Sequence, residues 1–119
     1  MRKAFKRVLA AAEAANLAGI EVGTSYGTPA LRVGGKLFLR MKDADTIVLF
    51  GPMEEKEMLL AAEPAIHFET DHYKGWPAWL ARLAKISDAE LRHRLERAWR
   101  HKGVEAAPRG TRRQSALEA

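Results

Sequence analysis

The sequence predicts an α+β protein: an antiparallel-rich sheet with helices collected mainly on one face, in the order α-β-β-β-α-β-β-α. Three observations lead there. Tyr26 to Arg40 reads as two strands joined by Gly34-Gly35, and a two-residue hairpin loop needs the positive φ that glycine adopts without a Cβ clash. Thr46-Ile47-Val48-Leu49-Phe50 is a nearly all-apolar, β-rich run, the pattern of a central strand covered on both faces. Helical periodicities stand at both ends and once between them.

The first helix is expected from Arg2 to about Ala18. Its composition is rich in alanine, and Phe5, Val8, Leu9, Ala12 and Ala15 form one apolar stripe. Arg2, Lys3, Lys6 and Arg7 stay outside it, and Gly19 is a natural terminator. Ile20 to Thr28 leads into the hairpin, with Thr24-Ser25-Tyr26-Gly27 turn-like. Pro29 suits the first residue of an edge strand. If Val33 pairs with Lys36, then Leu31 pairs with Phe38 on a core face. Ala30, Arg32, Leu37 and Leu39 then point the other way. After the central strand, Pro52 opens a second helix with Glu54 and Glu55 in its first turn. Met58, Leu59 and Ala62 form its buried side, and Pro64 ends it. Ile66–Thr70 is a short strand, Asp71–Pro77 a turn, and Ala78–Leu83 a strand with Trp79, Ala81 and Leu83 on one face. Ser87 and Glu90 have capping-box spacing at the start of the last helix. That helix buries Leu91, Leu95, Ala98 and Trp99 and closes at Gly103. His93, Arg94, Arg97, Arg100 and His101 share its outer side.

With 119 residues and 47% apolar content the chain suits one domain with a real core. Residues 1–103 are expected to form it, with 104–119 a basic, flexible tail. The chain has no cysteine, so disulfides and sulfur ligation are excluded and the cytoplasm is the default location. No run approaches the roughly 20 apolar residues of a membrane span, and the basic N-terminus reads as a helix rather than a signal peptide. The net charge of +5 is uneven: residues 1–7 contribute +4, residues 8–84 contribute −3 and residues 85–119 contribute +4. This balance favours polyanionic partners, although ordinary soluble proteins also show it.

Distinctive stretches lie along the chain: Thr24-Ser25-Tyr26-Gly27-Thr28-Pro29-Ala30-Leu31, Val33-Gly34-Gly35-Lys36-Leu37-Phe38, Thr70-Asp71-His72-Tyr73-Lys74-Gly75-Trp76-Pro77, Arg82-Leu83 and Ala98-Trp99-Arg100. Together they resemble the MmcQ/YjbR family of small bacterial proteins. Their order and spacing cover roughly residues 5–102. The resemblance implies a fold like that of CyaY and frataxin, and a DNA-binding role with protruding hairpin wings. Ala18 departs from the family, whose members tend to have proline there, and Phe50-Gly51 departs where a lysine is usual. Iron binding of the frataxin kind does not carry over. It uses acidic residues on the first helix, and here that helix holds four cations and Glu13.

The candidate nucleic-acid contacts are Arg32, Lys36, Arg40 and Lys42 on the hairpin, His72, Tyr73, Lys74 and Trp76 on the turn, and Arg82. Cations meet phosphates in a salt-dependent, sequence-independent way, and aromatic rings stack on bases. The ordinary alternatives are a solvated, charge-protected sheet edge and aromatics folded back on the core. The same turn also offers a different role. Ser25, Tyr26, His72 and Tyr73 would line a polar pocket for a small ligand or a protein. Cations on the last helix and the tail would add nonspecific attraction.

Catalytic arrangements are poor. Asp71, His72 and Ser25 name triad residue types, but neighbouring strand residues point to opposite faces and no nucleophile elbow surrounds Ser25. His67, His72, His93 and His101 lack metal-ligand spacing. The expectation is a non-enzymatic protein with no metal or cofactor, binding DNA if its cations converge on one surface.

Overall fold

In the computed structural model, which describes residues 1–106, the chain is α+β, with three helices and a six-stranded sheet. The elements are α1 (Arg2–Ala14), β1 (Ile20–Ser25), β2 (Thr28–Val33), β3 (Lys36–Met41), β4 (Thr46–Phe50), α2 (Met53–Ala62), β5 (His67–Phe68), β6 (Ala78–Arg82) and α3 (Asp88–Ala106), with a short 3-10 helix at Asp71–Tyr73. The strands lie in the order β1-β2-β3-β4-β6-β5, and every pairing among them is antiparallel. Of the expected tail over 104–119, residues 107–119 lie outside the described residues.

The main core joins Phe5 and Val8 of α1, Leu59 of α2, and Leu91, Leu95 and Ala98 of α3 to one face of the sheet. That face is built from Leu31, Leu39, Met41, Ile47, Leu49, Trp79 and Ala81, which the register sets opposite one another. A smaller cluster of Val48, Ala78 and Leu80, with Phe50, Phe68 and Tyr73 packed against it, lies on the second face. Val48 is fully buried there, so β4 is covered on both sides, as its apolar run required.

The expected element order lacked one strand. Ile20–Ser25 is β1, paired with β2 across a tight turn in which Tyr26 has φ 53° and Gly27 φ 79°. The turn falls where Thr24-Ser25-Tyr26-Gly27 read as turn-like, although positive φ is unusual for tyrosine; the strand before it was the part not foreseen. Because β1 covers β2, Pro29 lies in an interior strand, opposite Thr24, and not in an edge strand. The Gly34-Gly35 turn forms as expected, with φ 57° and 79° and Val33 opposite Lys36. The register then shifts. Arg32 opposes Leu37, but Leu31 opposes Leu39, leaving Phe38 as the extra residue of a bulge. Phe38 and Leu39 both enter the main core, whereas uninterrupted alternation would have turned Leu39 away.

Three helix boundaries or faces also differ. α1 stops at Ala14 because Asn16, at φ 60°, takes the left-handed position that asparagine tolerates. Arg7 is half-buried, donating to the Leu83 carbonyl at 2.6 Å, the Ile86 carbonyl at 2.7 Å and Asp88 Oδ1 at 2.9 Å. α2 buries Glu55, Lys56 and Leu59, while Met58 is 56% exposed and Ala62 is exposed. α3 begins as predicted, with the Glu90 backbone N–H donating to Ser87 Oγ at 3.1 Å, but it continues through Gly103 to Ala106. A glycine inside a helix costs only about 1 kcal/mol against alanine, which the neighbouring turns absorb.

The hairpin yields a direct test. Open space surrounds the position a Gly35 Cβ would occupy, so Gly35→Ala is opposed by backbone conformation alone. Urea denaturation of Gly35→Ala should show a loss of about 1–2 kcal/mol. Gly34→Asn, at a φ asparagine accepts, should stay close to wild type.

Candidate functional site

The register brings distant cations to the second face of the sheet. Arg32, Arg40 and Arg82 alternate with the core-facing residues of β2, β3 and β6, on the side of Val48 and Leu80. Arg32 lies across Gly23 of β1, whose Cβ would stand 3.5 Å from Nη1. Arg82 stacks on the Phe68 ring at 3.9 Å from its centroid and donates to the carbonyls of Pro64 and Ala65.

Arg40 is the hub. Its Nη2 donates to the Tyr73 hydroxyl at 3.1 Å, and Nη1 donates to Thr28 Oγ1 at 3.3 Å and the Met41 carbonyl at 3.2 Å. The Thr28 hydroxyl in turn donates to the Ser25 carbonyl at 3.0 Å. Above the guanidinium lies the Tyr26 ring, 5.2 Å from Arg40 Cζ, a cation–π distance. Tyr26 is 88% exposed, so the ring is presented to solvent and does not fill the core. The residues form the walls of a cleft of about 500 Å³ lined by Tyr26, Arg40, Lys42, Thr70, His72 and Tyr73. His72 stands edge-on to Tyr73 with ring centroids 4.8 Å apart.

The turn that supplies His72 and Tyr73 is held from beneath by Lys56. This buried lysine donates to the Tyr73 and Trp76 carbonyls, each at 2.7 Å, and pairs with Glu69 Oε2 at 2.9 Å. A buried ammonium with three oxygen partners is a satisfied one, and it anchors the turn to α2.

Of the sequence-predicted contacts, Arg40, Lys42, His72 and Tyr73 therefore meet in one cleft. Arg32 and Arg82 share its sheet face. Lys36 sits at the hairpin tip opposite Val33, at the far end of β3 from Lys42. Near that tip Glu21 accepts a hydrogen bond from the Gly35 backbone N–H at 3.0 Å. Lys74 is exposed with Asp71 at 4.0 Å, and Trp76 is 64% exposed on the turn. For the polar pocket, Tyr26, His72 and Tyr73 line the cleft, while Ser25 contributes its carbonyl to Thr28.

The outer side expected for the last helix does not hold for Arg94. It is buried, its Nη1 donating to Glu55 Oε2 at 2.9 Å and its Nε standing 3.0 Å from Glu90 Oε2. Arg97 also engages Glu55, at 3.2 Å. Arg94 is thereby committed inside the fold, while the Arg97 side chain stays 48% exposed.

A second cluster was missed by the sequence reading. Glu63, His67 and Glu90 bring three potential ligand atoms within 4.8 Å of one another. His67 Nε2 is buried without a hydrogen-bond partner, 4.0 Å from Glu63 and 3.9 Å from Glu90. The other ring nitrogen decides what this cluster does. Trp79 Nε1–H donates to His67 Nδ1 at 3.0 Å, so Nδ1 is the bare nitrogen and Nε2 carries the hydrogen. Metal ligation by Nε2 requires the opposite tautomer. The residues present therefore fit a neutral, structural histidine better than a cation site. Burial lowers the His67 pKa from 6.5 to about 4, assisted by the Arg94 charge and opposed by Glu90. The sequence signal was present only in part: Glu63 and His67 are four residues apart, but Glu90 arrives from α3.

The fold and cleft define a small α+β protein with cations and aromatic rings gathered on one sheet face. The chain belongs to the YjbR family, whose model matches residues 15–101, a span that contains every cleft residue. Proteins of Mycobacterium bovis and Mycobacterium tuberculosis, each named only as uncharacterised, are 43% identical to it over 44 residues. That stretch is 37% of this chain and 34% of each relative, so the chain matches about a third of their length. Among the described residues no helix is long and apolar enough to cross a membrane.

Proposed function

We propose that this protein binds nucleic acid, largely without sequence preference, through the second face of its sheet. The observation that carries this reading is the placement of Arg32, Arg40, Lys42 and Arg82 on one side, beside the aromatic cleft. Cations on a common surface attract a phosphate backbone collectively, and release of its counterions makes the affinity fall steeply with salt. The role we read from these groups is binding: cations for phosphate and aromatic rings for bases. The cytoplasm, where nucleic acid is met, is the proposed location.

Fluorescence anisotropy on labelled DNA across a salt series tests this. Lys42→Ala should weaken binding and reduce the slope of log affinity against log salt by about 1. Arg32→Ala should act in the same direction. Binding at low salt that neither substitution changes would refute the proposed face. A second reading is favoured by the cleft itself: its concavity suits a small organic ligand as well as a polymer. Saturable binding of a mononucleotide with no affinity for longer strands would select that reading.

A further inference from the structure

We infer that the cleft receives one nucleotide of a single strand, its base lying on Tyr26 and its phosphate meeting Lys42, so that single strands are preferred over duplex. This rests on the nucleic-acid reading above and narrows its substrate class.

The first ground is the state of Tyr26. An aromatic ring left 88% exposed at a positive-φ turn contributes nothing to the core and sits in a backbone conformation that tyrosine disfavours. Its ring is nevertheless oriented, lying over the Arg40 guanidinium, which Thr28, Met41 and Tyr73 hold in place. An exposed ring with a held guanidinium beside it can serve as a stacking platform.

The second ground is shape. The cleft, about 500 Å³, falls in the range of roughly 300–1,000 Å³ that holds small organic ligands. Its lining combines the rings of Tyr26, His72 and Tyr73 with the cations Arg40 and Lys42, which suits a base and its phosphate together. A duplex keeps its bases stacked inside and presents only phosphates and groove edges, so Tyr26 and His72 would find no partner. Unpaired bases can splay out and stack on aromatic side chains.

The third ground is the commitment of Arg40. Three of its donors already hold protein groups within the sheet face. Those bonds let it brace the platform, while Lys42, which lines the same cleft, meets a phosphate. A single strand, pliable at each nucleotide, follows such a recessed site where a stiff duplex does not.

Anisotropy with a labelled oligothymidine and with a duplex of equal length, both at low salt, tests the inference. The single strand should bind about tenfold more tightly, the range one stacked base supplies. Tyr26→Asn should lower single-strand affinity about tenfold, while Tyr26→Trp, which keeps a platform, should retain it. Asparagine is at home at a positive-φ turn position, so Tyr26→Asn should melt at or above the wild-type temperature, separating lost stacking from lost folding. Duplex bound as tightly as single strand, or a single-strand affinity unmoved by Tyr26→Asn, overturns the inference and leaves the nucleic-acid reading standing. If neither strand form binds at low salt, the nucleic-acid reading itself fails, and this inference with it.

Discussion

Replacing Glu55 by alanine should cost about 3–5 kcal/mol, a large part of the total stability of a protein this size. The carboxylate is buried, with a side chain only 6% exposed, and it meets Arg94 at 2.9 Å and Arg97 at 3.2 Å. Arg94 is itself buried, with a side chain 8% exposed. Removing the glutamate leaves its guanidinium desolvated with only Glu90 as counterion, and an incompletely paired buried charge is far more costly than a missing apolar contact. The attractive energy of the intact pair is a different quantity. Replacing both members with apolar residues of similar size, as in Glu55→Leu with Arg94→Met, should restore much of the loss. Urea denaturation of the single and double variants measures the coupling. A loss below 1 kcal/mol for Glu55→Ala would show that water reaches the pair.

The second large effect is acid sensitivity. His67 has its pKa lowered from 6.5 to about 4 in the folded protein, chiefly by burial. The unfolded chain then binds a proton at this residue in a window where the native state does not. Acid therefore favours unfolding: the stability contribution is complete above pH 6.5 and is lost as pH falls towards 4. The full shift corresponds to about 3 kcal/mol. The groups facing the ring are Trp79 from β6, Glu63 at the end of α2, and Glu90 and Arg94 from α3. Because charged groups surround the ring, the comparison is made against a variant that removes the imidazole alone. His67→Gln should flatten the pH dependence of the denaturation midpoint between pH 6.5 and 4.5. Parallel profiles for wild type and His67→Gln would mean that the ring is protonated in the native state.

Both effects reside in α2 and its neighbours, where local patterning was least informative. Met58 and Ala62 stand at positions that apolar periodicity assigns to the core, yet Glu55 and Lys56 occupy the buried side. Periodicity records which residues prefer to leave water. It does not record that Arg94, 39 positions away from Glu55, will arrive to neutralise a carboxylate. The same holds at the cleft. Arg40, Lys42, His72 and Tyr73 were each identifiable as polar or aromatic residues in distinctive stretches. Their meeting depends on a hydrogen bond between residues 33 positions apart.

The strand β1 was hidden for a local reason. Gly23 interrupts its β pattern, so the turn at Tyr26-Gly27 was legible but the strand leading into it was not. The bulge at Phe38 was hidden for a geometric one: one extra residue reverses alternation, and only packing on the helices selects which pair of side chains turns inward.

What the amino-acid sequence determined by itself was the set of features governed by neighbours along the chain. These are the Gly34-Gly35 turn, the buried run of β4, the alternation of β6, the Ser87 cap and, through motif order, the family. What only the tertiary structure decided was pairing: the register across the bulge, the partners of the buried charges, and the meeting of the Arg40 strand with the Tyr73 turn. Backbone preference and hydrophobic period act over a few residues, whereas charge compensation and cleft formation depend on which distant segments come together when the core closes.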